Sequence, residues 1–350
     1  MPRVLALSAL AISALTLAGC STAPATTDAR VQVVTTTSVY GSIVEEIGGE
    51  HVAVTSLISS AAQDPHEYEP SSKDKLVVNR ADLIVSNGGG YDAFVAGLVT
   101  TDGIPVIEAV SFAPDYPGDG GEDNQGHDED EADAHDDEHA HDDEHAHDDE
   151  HAHEDGDAHG GEAEADHAGH NHIVGFNEHV WYDPAVIAGL AADIAEHLSE
   201  LDPPHAAYYE MNAAALDADL DGLTAEITAL AAAQEHTHIL VTEPVALRLT
   251  DLLGMHNSTP AAFLEAVEEG QDVAPATLLE TLRVLENGDI AVVIANAQTG
   301  GNETERIIGD AEKAGIPVLE FSEILPDGLT YVTWMSQNVA ALAGTLEHAS

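Results

Sequence analysis

The chain has 350 residues, 44% of them hydrophobic, which is enough apolar material for two domains. Sixty-five acidic residues against nine basic ones give a formal net charge of −56, which excludes nucleic acid as a partner. Cys20 is the only cysteine, so intramolecular disulfides and cysteine-built sites are excluded and any metal site must use His, Asp and Glu.

Residues 1–20, MPRVLALSALAISALTLAGC, have the layout of a lipoprotein signal peptide. Arg3 supplies the charged start, residues 4–17 an apolar run too short to span a bilayer comfortably, and Ala18 and Gly19 the small residues before a lipidated Cys20. This places the protein outside the cytoplasm, lipid-anchored to a membrane. Residues 21–30 lack large apolar side chains and read as a tether.

From residue 31 the chain alternates between strand and helix. VQVVTTTSV is β-rich, and SVYGSIVEEIGG returns apolar residues at helical spacing. HVAVTSLI, ADLIVS and GIPVIEAV are further strands, with a short helix in DKLVVN and a glycine turn in NGGG. This rhythm predicts a mostly parallel sheet with helices on its faces.

Residues 117–172 interrupt that lobe. Twelve of the 21 histidines lie between His127 and His172, with no Lys or Arg, and AHDDEH repeats three times from Ala134 to His151. Imidazole and carboxylate are ligands for borderline divalent metals, and no apolar residue larger than alanine is present in that stretch to let it pack. It reads as a disordered, metal-collecting insertion in which His135, His139, His141, His145, His147, His151 and His153 are accessory ligands. The tract carries 23 acidic residues and leaves −33 on the remainder.

Asp183-Pro184 supplies a cap and first residue for a helix, PAVIAGLAADIAEHLSEL. Asp202-Pro203 opens a stretch of about 32 helical residues, roughly 48 Å if unbroken, with Gly222 as the point where it would divide. THILVT, DIAVVIAN and PVLEF are the strands of a second lobe, with helices in PVALRLTDLLG, TPAAFLEAVEEG, APATLLETLRVLENG and around TYVTWMSQNVAALAGTL. The expected organisation is an N-terminal α/β lobe over 31–200, a connecting long helix over 201–235 and a C-terminal α/β lobe over 236–350.

Open α/β sheets bind ligands beyond the carboxyl ends of their strands. His66 in QDPHEYEP follows the second strand, Glu243 follows THILVT, Glu323 follows PVLEFS, and His179 in NEHVWYDP precedes the helix at Pro184. Each has a plainer reading: a loop histidine, a helix-capping carboxylate, a solvated strand end, a ring packed on Trp181. Glu67 and Asp183 adjoin these motifs as candidates to orient an imidazole. Asn296 and Gln298 in ANAQTGGN have no assignable role, and His236, His238 and His256 read as surface or strand residues.

QDPHEYEPSSKDKLVVNRADLIVSNGGGYDAF, NEHVWYDP, LVTEPVALRL and IPVLEFSEILPDGLTYVTWMSQNVAAL resemble, in order and spacing, the signature segments of the solute-binding proteins of zinc and manganese ABC importers. The zinc-type members also carry a His- and acid-rich insertion before the second ligand. The resemblance implies two pseudo-symmetric α/β lobes with mostly parallel sheets, joined by one long helix, with a metal between them held by His66, His179, Glu243 and Glu323. It also implies a monomer, not an enzyme, that delivers its metal to a membrane permease with a cytoplasmic ATPase.

Two positions depart from the commonest zinc pattern: the third is often His but here is Glu243, and the fourth is usually Asp but here is Glu323. Two imidazoles with two carboxylates make a harder site, which suits Mn2+; zinc's higher affinity for N/O sites and the histidine tract favour Zn2+ as the cargo, with manganese the alternative. Two further readings are a surface metal buffer or adhesin without a transporter, and a zinc hydrolase, against which the absence of HExxH argues. Binding needs neutral imidazole and is expected to weaken below about pH 6.5.

Overall fold

The computed structural model describes residues 30–118, 173, 175–232, 237–287 and 289–347. Cys20, the tract histidines and His236 lie outside the described residues.

The first β-rich run forms β1 (Val31–Thr37), buried along nearly its whole length as a central strand should be. α1 (Ser38–Gly48) follows and turns its apolar residues inward, and β2 (Val52–Ile58) pairs parallel to β1 with Val31 opposite Val52. α2 (Ser72–Val78) starts at a capping box in which Ser71 and Asp74 satisfy each other's amides. β3 (Leu83–Ser86), α3 (Phe94–Leu98) and β4 (Val106–Glu108) complete a four-stranded parallel sheet of order β2-β1-β3-β4.

α4 (Pro184–Leu201) begins as expected, with the Asp183 carboxylate accepting from the Ala185 amide at 2.9 Å. Asp183 is thereby used as a helix cap and does not orient an imidazole. The long helix is shorter than the sequence suggests. Pro203–His205 form a single 3-10 turn, because Asp202 turns its side chain to His205 and Tyr209, and α5 (Ala206–Ala231) then runs 26 residues, about 39 Å, straight through Gly222. Tyr209, Leu216, Leu220, Leu223 and Ile227 are its buried face. It packs mainly along α4 and α1 and touches α10 and α6, so it belongs to the body of the first lobe as much as it connects two.

The second lobe repeats the first. β5 (His238–Val241), α6 (Leu247–Leu252), β6 (His256–Asn257), α7 (Ala261–Glu268), α8 (Pro275–Glu286), β7 (Ile290–Asn296), α9 (Asn302–Ala314), β8 (Val318–Phe321) and α10 (Tyr331–Glu347) build a parallel sheet of order β6-β5-β7-β8, the same winding as the first. The two-residue edge strand β6 was not predicted. It is too short to show periodicity, and His256 enters it beside His238, ring centroids 4.9 Å apart.

One hydrophobic cluster runs from Val33 and Ile43 in the first lobe through Trp181 and Tyr182 to Val292, Phe321 and Met335 in the second. Polar contacts stitch the same seam: the Tyr331 hydroxyl donates to the Trp181 carbonyl and the Tyr182 hydroxyl to the Ser322 carbonyl, each at 2.7 Å. Among the described residues no helix is long and apolar enough to cross a membrane.

Candidate metal centre

The loops beyond the strand ends enclose a cavity of about 470 Å³ whose walls include Asp64, His66, Glu67, His179, Glu243 and Thr299. His66 is delivered by a turn that the DPH sequence builds: the Asp64 carboxylate accepts from the His66 amide at 2.8 Å, with Pro65 between them. Glu67 is exposed at the cavity edge and no contact with an imidazole is seen for it.

His179 sits at the start of a 3-10 turn, Val180–Tyr182, packed against Trp181 and almost fully buried. The Asn177 side-chain oxygen accepts from its amide at 3.0 Å and faces its Nδ1 at 2.8 Å. That pairing makes Nδ1 the donor and makes Nε2, which faces Glu323, the nitrogen to take a metal. Asn177 therefore does what the sequence reading assigned to Asp183.

Glu323 is fully buried two residues beyond the end of β8. Its Oε2 lies 3.2 Å from His66 Nε2 and 3.9 Å from His179 Nε2, and accepts from the Tyr91 hydroxyl at 2.7 Å. Burial alone would raise its carboxyl, but His66 and His179 beside it hold it down at about 2. Burial would likewise lower the His66 imidazole, and the Glu323 carboxylate takes it the other way, to about 9.

Glu243 was expected to share this group or to cap the helix after β5. Its side chain makes no cap hydrogen bond. It lines the same cavity, but its carboxylate accepts from the Asn296 amide at 2.6 Å and from the Thr299 hydroxyl. Asn296 donates from the same nitrogen to Glu323 at 2.6 Å, so one amide bridges both carboxylates. Burial, with the Glu323 charge nearby, raises the Glu243 carboxyl despite these two hydrogen bonds. The ligand atoms of His66, His179 and Glu323 all come within 4.8 Å of one another, and Glu243 stands outside that trio.

Gln298, which also lacked a role, fixes the backbone of this corner by accepting from the Glu323 amide at 2.8 Å and donating to the Ser322 hydroxyl at 3.0 Å. Tyr91, Asn177 and Thr299 were not singled out from sequence. Tyr91 and Thr299 each lie a few residues beyond the end of a β-strand, which is the signal that could have found them. A larger groove of about 620 Å³ between α4 and α5 is lined by alanines with Glu196, Glu200 and Glu210 and offers no imidazole.

Residues 33–345 match the family described as zinc-uptake complex component A, periplasmic (ZnuA). The chain belongs to that family. ZnuA proteins are solute-binding components rather than enzymes. Over 101 residues, 28% of the chain and 33% of the relative, it is 34% identical to the manganese-binding lipoprotein MntA of Halalkalibacterium halodurans. Over 54 residues, 15% of the chain and 16% of the relative, it is 52% identical to the high-affinity zinc uptake system protein ZnuA of Brucella abortus. These matches span a third or less of the curated relatives' length. In fold, the chain is similar to the periplasmic zinc binding protein TroA of Treponema pallidum, with a TM-score of 0.64 and 17% identity over 91% of this chain and 99% of that one. The two-lobed α/β fold is thus that of the ZnuA and TroA proteins.

Proposed function

We propose that this ZnuA-family protein captures a divalent transition metal outside the cytoplasm, zinc in preference to manganese, and hands it to an ABC permease driven by a cytoplasmic ATPase. Lipid on Cys20 would hold it at the membrane. The observation that carries the reading is the trio of His66, His179 and Glu323, the first partly and the other two fully buried, with ligand atoms within 4.8 Å of one another. Two imidazoles and a carboxylate are a three-point set that zinc completes with one further oxygen, in tetrahedral geometry. Glu243, on the cavity wall, is the residue to supply it, exchanging its bonds to Asn296 and Thr299 for the metal.

Manganese remains the second reading, and a specific observation favours it: one Asn296 amide holds the Glu243 and Glu323 carboxylates beside each other, and hard oxygen donors suit Mn2+. Direct competition separates the two. The full chain, loaded with one zinc in a chelator-buffered solution that leaves weak tract sites empty, is dialysed against excess manganese. Retention of zinc supports the proposal; replacement by manganese overturns the preference.

Release is proposed to come from the turns after α7 and before α9, which line the cavity and contain Gly270, Gly300 and Gly301. Wide hinge closure is opposed by the aromatic seam, where Tyr182 meets Phe321 and Trp334 with centroids 5.8 and 5.5 Å apart. The tract histidines, His135 to His153, would raise the local metal concentration.

A further inference from the structure

A second group of ligating side chains lies at the amino end of β2, the opposite end of the first sheet from the cleft. His51 ends the 3-10 turn Gly49–His51 and immediately precedes β2, so it sits at the amino end of the strand whose carboxyl end leads to His66. β2 has seven residues, which puts about 23 Å of strand between the two positions. His51 is therefore no part of the cleft. Asp202 and His205 come from the junction of α4 and α5, some 150 residues further along the chain.

The His51 and His205 rings stack with centroids 3.8 Å apart and planes 19° from parallel. His205 Nδ1 lies 2.7 Å from Asp202 Oδ2, and the Tyr209 hydroxyl donates to that same oxygen at 2.8 Å, which fixes the carboxylate. The ligand atoms of all three residues fall within 4.8 Å of one another. A helix-junction pair explains Asp202 with His205 but not why a distant turn brings a second imidazole onto them. That turn is held in place by Gly49, at φ 52° against the Tyr208 hydroxyl, where a Cβ would come within 2.2 Å. Each of the three residues is partly exposed, so water has access to complete a coordination shell.

We infer that His51, Asp202 and His205 form a second divalent-metal site, selective for zinc over manganese through its two imidazoles, that ties the α1–β2 turn to the α4–α5 junction. It goes beyond the transport reading and does not depend on it. Chelation requires the imidazoles to rotate out of their stack, with the metal taking the place of the proton between His205 and Asp202.

The test is zinc titration of the full chain labelled with 13C in its histidine rings, followed by NMR, with the two resonances assigned from His51→Gln and His205→Gln. The expected result is that the His51 and His205 rings shift together at one zinc dose, and that each substitution abolishes the shift of the other ring. The His66 and His179 signals should respond to zinc unchanged in both variants, which shows that they are folded. The inference is overturned if neither ring moves once zinc has saturated the rest of the chain, or if His205 still shifts in the His51→Gln protein.

Discussion

Replacing Asn296 with alanine removes a donor that holds both buried carboxylates at 2.6 Å. Each hydrogen bond to a charged acceptor is worth roughly 1.5–3 kcal/mol net. A bound metal takes over much of that attraction, so the metal-free protein suffers more in stability than the loaded one. What the loaded protein loses is orientation of Glu323, an effect that in metal sites costs about 10–100-fold in affinity, or about 1.4–2.7 kcal/mol. Chelator competition on the full chain measures this, with a thermal melt to confirm folding. Gln298→Ala is the control: it touches the Glu323 amide rather than the carboxylate, and a smaller effect is expected. A folded Asn296→Ala protein that binds zinc as tightly as the parent would refute the assignment of Asn296 as the bridge.

Arg248 is the one Lys or Arg between Arg80 and Arg283, and it clamps the lobes. Its Nε donates to the Asn177 carbonyl at 2.8 Å, its fork meets Asp115 at 3.1 and 3.2 Å, and it lies 5.0 Å over the Phe176 ring. Arg248→Ala is expected to lose about 2–3 kcal/mol in urea unfolding, most of it from the carbonyl bond and the ring and only a few tenths from the exposed Asp115; Lys at this position, lacking the fork, should recover only part. Gly49→Ala forces a Cβ into the left-handed region and into the Tyr208 hydroxyl, and a loss of at least about 1–2 kcal/mol is expected by the same assay. The pH response differs from the value set by an ordinary imidazole. Glu323 holds the His66 proton up to about 9, so in the metal-free protein that proton competes with metal throughout the neutral range. Zinc affinity should therefore rise about tenfold per pH unit from 7 towards 9, with roughly one proton released per zinc, as calorimetry in buffers of different ionisation enthalpy reports. A plateau above pH 6.5 would contradict it.

Much of this was legible in the sequence because the alternation of short apolar strands and capped helices is local. The Asp183-Pro184 start, the four strands of the first lobe and the strand-end placement of His66, Glu243 and Glu323 all follow from neighbours within a few residues. What was not legible depends on contacts between distant segments. Tyr91 reaches Glu323 across 232 positions, and Asn177 reaches the Pro244 carbonyl across 67. Asn296 was noticed but had no role until β7 and β8 were placed side by side, which sets it between two carboxylates. The early break of the long helix at Pro203–His205 reflects Asp202 being drawn to Tyr209 rather than capping α5 directly, a choice that propensity does not encode.

The most direct test of the account is the zinc content of the full chain and of the His66→Ala/His179→Ala double variant in a zinc buffer that only a tight site can fill. The account predicts one zinc per parent chain and none per variant chain, with the variant still folded. A folded double variant that keeps its tightly bound zinc would place the capture site elsewhere and contradict the central claim.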